Sequence, residues 1–334
     1  QKARCRARQD ILTQLESAYN QREKKTSARY CREYVRHFID GDPIMGIENE
    51  YAIAQQLAPN IPVELVNQVV ASLVEPDNLV VVCMLPEKEG LVYPAREEIK
   101  AALESVEAEE IAAYEDKVSD EPLIGKEPKA GKVKKTEAAP FGYTKLTLKN
   151  GATVYFRETS FNADQVLFRA SSFGGKSLYG DADLINLAAL DDLIDVAGIG
   201  NFSSTELTKA LSGKKVNLGA SVSEYNETLR GSTTPKDFET LLQLNYLYFT
   251  ALRSDEEAFQ SWKTKTAAVL ANQEAQPMSA LQDSLKYMYA RPERGYRLKS
   301  ADIDKVDYAR TMKIAAERFS NAADFTFIIT GAIS

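Results

Sequence analysis

The sequence predicts an α+β fold: a mostly antiparallel sheet covered by helices on one face, preceded by a helix-rich partial domain and a linker. Alternating strand patterns, then helical patterns and a last strand, fill residues 141–334. Helical spacing of apolar residues dominates residues 1–114. A charged stretch with several prolines, residues 115–140, separates the two and gives the predicted domain boundaries.

The N-terminal region is predicted to be mainly helical. Between residues 30 and 57, apolar residues recur at helical spacing on both sides of the breaker at residues 41–43. Residues 60–62 open a further helix. The run NLVVVCML, residues 78–85, is apolar and β-branched, which is typical of a buried strand.

The linker is recognised by its composition. Residues 107–140 turn to Glu, Lys, Pro and Gly, a composition that cannot bury a core. Proline after Glu or Lys favours extended backbone in the preceding residue. Two compatible roles stay open, a solvated strap across a surface and a hinge that lets two halves open. Residues 117–140 are expected to be the most protease-sensitive part of the chain.

Local signals define the strands of residues 141–334. Asn150-Gly151 lies between two alternating runs and predicts a hairpin with a type I′ turn, which needs positive φ at both positions. The predicted strands are residues 145–149, 153–157, 165–171, 216–222, 228–232 and 325–330.

Two capping boxes predict helix starts. Ser203 with Glu206 and Ser254 with Glu257 have the required spacing, so helices are expected to begin near residues 204 and 255.

Two more helices follow from other signals. The break at Gly174-Gly175 precedes a predicted helix over residues 181–196. Thr234 before Pro235 predicts an N-cap with proline in the first turn, where its missing N–H costs nothing.

Composition narrows the classes of partner. The chain has 334 residues and a net charge of −7, with no basic stripe to neutralise phosphates, so nucleic acid is not an expected partner. The basic start QKARCRARQD passes straight into a helical pattern and is interpreted as a solvated helix face. No apolar run approaches the roughly 20 residues that cross a bilayer, so no membrane span is predicted.

Histidine and cysteine are sparse. His37 is the single histidine, too few for a zinc site built on several imidazoles, and it is expected to be a partly buried structural residue. Cys5, Cys31 and Cys83 lack C-x-x-C spacing, so structural disulfides are not expected. A Cys5–Cys31 pair stays open if two helices bring the residues together.

Three runs of the C-terminal region carry a family resemblance: LYGDADLINLAALDDLIDVAGIGNFSSTELTKAL, GASVSEYNETLRGSTTPKDFETLLQLNYLYFTALRSDEEAF and FTFIITGAIS. They resemble the third domain of the insulinase/pitrilysin family of zinc metallopeptidases, the inverzincins. The catalytic domain of that family carries H-x-x-E-H on a helix, where the histidines bind zinc and the glutamate activates water.

The resemblance implies that the motif is degenerate here. Aligned backward from residues 205–207, its positions fall on Ala189 and Leu193 in place of the histidines and on Asp192 in place of the glutamate. The family's later glutamate ligand falls near Ala271 or Asn272. The resemblance therefore implies no catalytic residue and no metal ligand in this chain.

Neighbouring carboxylates are not expected to replace the lost ligands. Asp191, Asp192 and Asp195 share one predicted helix, but one oxygen from each falls short of the six to eight that calcium takes.

The one tryptophan is interpreted as structural. Trp262, with Phe259 and Val269, is expected to pack its helix rather than to form a substrate platform.

The resemblance also assigns the three regions. Residues 1–114 correspond to the C-terminal part of the family's second domain, residues 115–140 to the linker between halves, and residues 141–334 to a metal-free third domain. The chain is therefore expected to be an excised fragment.

The implied function is a non-catalytic portion of a zinc metallopeptidase that forms part of the substrate chamber. The implied partners are the catalytic half of the same parent chain, which would hold the zinc, and a peptide or small-protein substrate. Glu224, Tyr225 and Asn226 are expected to line the chamber. The alternative is a non-enzymatic binding or assembly protein on a degenerate peptidase fold. Exported members of the family imply a periplasmic or exported location, with the cytoplasm as the alternative.

Overall fold

The structure is a computed structural model that describes residues 2–73, 79–85, 90–107, 109–110, 112, 121–289 and 296–333. The N-terminal helices are α1 (Lys2–Asn20), α2 (Ser27–Asp40), α3 (Ile47–Leu57), α4 (Val63–Ala71) and α5 (Arg96–Glu107). The strands are β1 (Val133–Ala138), β2 (Thr144–Leu148), β3 (Thr153–Glu158), β4 (Val166–Phe173), β5 (Val216–Val222), β6 (Asn226–Thr233) and β7 (Thr326–Gly331). The later helices are α6 (Leu184–Ala197), α7 (Ser204–Ala210), α8 (Phe238–Thr250), α9 (Glu256–Glu274), α10 (Pro277–Tyr289) and α11 (Tyr308–Phe319).

The strands form one seven-stranded sheet in the order β1-β2-β3-β7-β4-β6-β5. Every neighbouring pair is antiparallel except β3 and β7, which run parallel. The last strand of the chain therefore inserts into the middle of the sheet and joins the β1-β2-β3 meander to the other strands. The predicted α+β class with a mostly antiparallel sheet is confirmed.

The sheet has one covered face and one open face. Along β4, Val166, Phe168 and Ala170 are buried, whereas Leu167 and Arg169 between them are exposed, because successive strand side chains point to opposite faces. Buried side chains of α6, α8 and α11 pack on the first set. Helices thus cover one face, as predicted.

The β2-β3 hairpin is confirmed, but its predicted turn type is wrong. Gly151 has φ of 102°, while Asn150 does not have positive φ, so the two-residue type I′ geometry is absent. The connection spans residues 149–152, and the Asn150 side chain instead accepts a hydrogen bond from the backbone N–H of Ala152. The asparagine stabilises the turn through its side chain, as such residues often do.

The predicted linker lies along the surface of the sheet domain where the structure describes it. Leu123 and Ile124 pack against an apolar cluster that includes Leu244 and Leu247 of α8. Further on, β1 pairs with β2 and becomes an edge strand. Its sequence, VKKTEA, is charged and mostly exposed, which suits an edge that must not recruit further strands.

The N-terminal helices expose much of their apolar surface. Within α1 to α4, Ser17 is the one buried residue, while Phe38 of α2 is 89% exposed. The strand predicted at residues 78–85 is wrong for residues 79–85, which form no strand and expose Val80 and Val82. Residue 78 lies outside the described residues. A β-branched run forms a strand only beside a partner, and no described strand pairs with this segment.

Polar contacts fix α1 on the sheet domain. Asp10 Oδ1 accepts hydrogen bonds from the backbone N–H of Gly213 at 2.6 Å and from the Ser212 hydroxyl at 2.8 Å. The Ser17 hydroxyl donates to Asp164 at 2.7 Å. The described N-terminal region is thus anchored mainly by α1.

The capping box of α7 is confirmed, and that of α9 is wrong. Ser203 and Glu206 exchange both predicted hydrogen bonds. At α9, Asp255 is the N-cap and its carboxylate accepts from the N–H of Ala258, so a stronger acceptor one residue later displaces Ser254.

The start of α8 is later than predicted. Thr234 and Pro235 form a turn, and α8 begins at Phe238. The Thr234 hydroxyl still accepts from the N–H of Asp237 at 3.2 Å, so its capping contact closes the turn that precedes the helix.

We expect trypsin to cut first at Lys126, Lys129 or Lys132, before Lys134 or Lys135. All five are exposed, but the last two lie in β1, whose hydrogen bonds to β2 must open before cleavage. Mass spectrometry of a digestion time course identifies the sites. First cuts within α6 or α8 would contradict the assignment of the linker.

Candidate functional site

Helix α6, which carries the positions predicted for the degenerate motif, is buried on two sides. Leu190 and Ile194 pack toward the sheet in the main core. Ala189, Leu193 and Ala197 pack away from the sheet into a second apolar cluster. Helix α6 is therefore an internal helix with a core on each side.

The two histidine positions of the motif lie inside this second cluster. Ala189 and Leu193 are each 0% exposed. Phe259 and Trp262 of α9 and Met312 of α11 are in the same cluster. Neither motif position offers a ligating atom, and neither adjoins an open cavity.

The acidic residues of α6 are engaged separately. Asp192 accepts a hydrogen bond from the Trp262 indole N–H at 3.4 Å. Asp191 accepts the backbone N–H of Val222, at the end of β5, at 2.8 Å. One carboxylate thus bonds to α9 and the other to the sheet, so these two side chains do not converge on a common point.

Burial raises the pKa of Asp191 above its ordinary value of 3.8. The hydrogen bond from Val222 and the charge of Lys176 oppose this effect, and the neighbouring Asp192 charge adds to it. The charged form of Asp191 is therefore less favourable in the folded chain than in water.

Ala271, one of the two positions predicted for the family's later glutamate, has no ligating side chain. Ala271 lies near the end of α9 and is exposed, while Leu270 beside it packs on the second cluster. The predicted packing role holds for Phe259 and Trp262, whereas Val269 is 52% exposed and takes no part.

Zinc does not fit these residues. The motif positions supply apolar side chains in a filled cluster, whereas a zinc site needs three or four nitrogen, sulfur or oxygen ligands. Throughout the described residues, no group of three or more His, Cys, Asp or Glu is placed to hold a metal ion.

The residues expected to line the chamber lie at the turn between β5 and β6, where Asn226 is the first residue of β6. Tyr225 is 69% exposed, while Glu224 and Asn226 are partly buried. Backbone N–H groups of Gly174, Lys176 and Ser177 donate to the carbonyls of residues 225, 223 and 224 at 2.8 to 2.9 Å. The turn is exposed and held by its neighbour loop.

A buried carboxylate that sequence analysis missed completes this turn. Glu227 accepts the backbone N–H of Gly175 at 2.8 Å and lies 3.9 Å from the Arg318 guanidinium. A Cβ at Gly175 would lie 2.4 Å from the Ser223 carbonyl oxygen, so the close approach requires glycine. The Gly174-Gly175 pair was the one signal in the sequence for this contact.

The histidine and the cysteines take no part in the site. His37 is exposed rather than partly buried, because it lies in the last turn of the exposed α2, with Nδ1 2.7 Å from the Asp42 carbonyl oxygen. Cys5, Cys31 and Cys83 are free and exposed, so the Cys5–Cys31 pair left open above is absent.

Zinc proteases of two organisms are similar in sequence to this chain. A zinc protease described as PQQL-like, from Arabidopsis thaliana, is 25% identical over 325 residues, covering 96% of this chain and 31% of its own. A probable zinc protease PqqL of Haemophilus influenzae is 24% identical over 188 residues, covering 56% and 20%. The chain is related to the PqqL-like zinc proteases. The predicted resemblance to the insulinase/pitrilysin family is thereby confirmed.

Two solved structures share the fold. The periplasmic protease PqqL of Escherichia coli matches with a TM-score of 0.56 and 19% identity, over 98% of this chain and 36% of that one. A mutant of the ferredoxin protease FusC, in complex with Arabidopsis ferredoxin, matches with a TM-score of 0.54 and 15% identity, over 97% and 36%. No protein-family model matches the chain. The chain spans about a third or less of these PqqL-like proteases.

None of the described helices is long and apolar enough to cross a membrane.

We expect that restoring the motif with A189H, D192E and L193H will not restore a zinc site. An imidazole in place of the fully buried Leu193 should destabilise the fold by about 2 to 4 kcal/mol. Thermal melting and metal analysis of the purified variant test this. An unchanged melting temperature with stoichiometric, chelator-removable zinc would show that the motif positions adjoin a usable cavity.

We expect D191N to make stability less dependent on pH. Because the pKa of Asp191 is raised, its contribution to the free energy of unfolding is complete below pH 3.8. That contribution is lost as pH rises through the pKa of the folded state. Asn can still accept the Val222 N–H. Urea unfolding should therefore show that the free energy of unfolding of D191N, relative to that of the parent, is more favourable at about pH 7 than at about pH 3. A pH-independent difference would contradict this.

Proposed function

We propose that this chain is a non-catalytic portion of a PqqL-like zinc metallopeptidase. It forms part of the wall of the substrate chamber, while the catalytic half of the same parent protein holds the zinc and hydrolyses a peptide or small-protein substrate. Glu224, Tyr225 and Asn226 face that chamber.

The observation that carries the proposal is the double-sided burial of α6. A helix that would hold zinc in a catalytic domain here has Ala189 and Leu193 fully buried in an apolar cluster. Asp192, at the position of the catalytic glutamate, bonds to Trp262. The motif helix stabilises the fold and supplies no chemistry.

Exposed apolar side chains of α2 support the proposal that this chain binds a partner. Tyr34, Val35 and Phe38 lie toward one side of this helix and are 54%, 54% and 89% exposed. Arg29 and Arg36 lie on its other side, in a large polar groove between α1, α2 and the start of β5. An apolar helix side turned to solvent is typical of an interface with another part of a protein.

A neighbouring solved structure supports a proposed location. The Escherichia coli structure is described as a periplasmic protease. We propose the same compartment for the parent of this chain.

Association with a catalytic half tests the proposal. We expect the chain, co-expressed with the H-x-x-E-H segment of its parent, to co-purify with that segment and to confer peptidase activity that neither has alone. V35D with F38D should weaken the association at least about tenfold, because both side chains lose burial. A268D, an exposed change on α9, is the matched control and should have no effect.

Two outcomes would contradict it. Zinc-dependent hydrolysis by the chain alone would place catalysis in these residues. Failure to associate, together with stable binding of an unrelated protein, would favour the non-enzymatic binding protein instead.

A further inference from the structure

The open face of the sheet carries a row of cationic and apolar side chains across five strands. The strand register places Lys145 (β2) beside Tyr155 (β3) and Tyr155 beside Ile328 (β7). It then places Ile328 beside Arg169 (β4) and Arg169 beside Arg230 (β6). Neighbouring strands are about 4.8 Å apart, so this basic row is about 20 Å long.

The two arginines of the basic row are directly opposite each other. Like charges in such a cross-strand position destabilise an antiparallel pair. Arg169 and Arg230 are both exposed, and neither forms a salt bridge or side-chain hydrogen bond with any residue that the structure describes. Repulsion between the two guanidinium groups destabilises the free chain, and a bound anion would reduce that repulsion.

The charge of this face is opposite to that of the whole chain. The chain carries a net charge of −7. On the open face, the described strands place Glu137 as the single acid, 2.7 Å from Lys135. The basic residues of the same face are Lys135, Lys145, Arg157, Arg169 and Arg230.

Hydroxyl side chains lie beside the basic row. The adjacent row on the same face consists of Thr147, Thr153, Thr326, Ser171, Thr228 and Ser221. Such hydroxyls donate hydrogen bonds to carboxylates and accept them from backbone N–H groups.

The end of the row at β5 is open. Gly219 is opposite Arg230, and a Cβ at Gly219 would meet no atom within 4 Å. A ligand can therefore approach Arg230 from this edge of the sheet.

We propose that the basic row binds an acidic polypeptide segment that also carries apolar side chains. Tyr155 and Ile328 separate the cations and suit contacts with the apolar side chains of such a segment. The inference rests on the proposed function, since it names the class of substrate that this part of the chamber wall holds.

Peptide binding to the intact 334-residue chain tests the proposal. The probe is a fluorescein-labelled peptide of about 20 residues in which Glu and Asp alternate with Leu and Phe, and its counterpart carries Gln and Asn instead. Fluorescence anisotropy should show the acidic peptide binding at least about tenfold more tightly. Its affinity should fall as salt rises, because exposed charges are screened.

Charge reversal locates the site. R169E with R230E should weaken binding of the acidic peptide about tenfold or more. K265E with K313E makes the same change of charge at exposed positions of α9 and α11 and should leave binding unchanged. R230E alone places a carboxylate opposite Arg169, so it should weaken binding without lowering the melting temperature.

Three results would overturn the proposal: equal binding of the two peptides, equal loss in both double variants, or competition by a single-stranded oligonucleotide as strong as by the acidic peptide. If the chain still associates with the catalytic half in these cases, the proposed function stands and the substrate class is wrong. If acidic peptides bind but the chain does not associate with the catalytic half, the proposed chamber role is wrong and the basic row is still a binding site for acidic peptides.

Discussion

The structure depends on one helix packed between two apolar clusters. Leu190 and Ile194 of α6 close the core against the sheet, and Ala189 and Leu193 close the cluster beneath α9 and α11. Each fully buried leucine or isoleucine contributes about 1.5 to 3 kcal/mol, so α6 couples the sheet to the outer helices. The same packing excludes metal chemistry from the helix, because a ligand at Leu193 would require the cluster to open.

The carboxylates near the predicted motif positions form structural hydrogen bonds. Asp191 fixes the end of β5 through the Val222 N–H, and Asp192 bonds to the Trp262 indole. On the other side of the same hairpin, Glu227 holds Gly175 and so the loop that supports the β5-β6 turn. The turn and the open sheet face are therefore presented by a rigid scaffold, which suits a surface that contacts a partner without catalysing a reaction.

Local sequence signals predicted most of the sheet domain. The alternating run from Val216 to Val222 and the Ser203–Glu206 capping box appear as expected, since both depend on neighbouring residues alone. Signals that depend on tertiary context failed. Residues 79–85 have no partner strand among the described residues. The edge strand β1 was missed because its composition is that of a linker and its pairing depends on β2, which is distant in sequence from its first residues. The second core around α6 was also missed, since a helix buried on both sides has no single apolar stripe.

Hydrogen exchange of α6 tests the central claim most directly. If α6 is a structural helix of the core, its amides should exchange as slowly as those of β4, and adding zinc should not change their rates. Fast exchange in α6 that becomes slow on addition of zinc would show an open, metal-organised helix and would contradict this account.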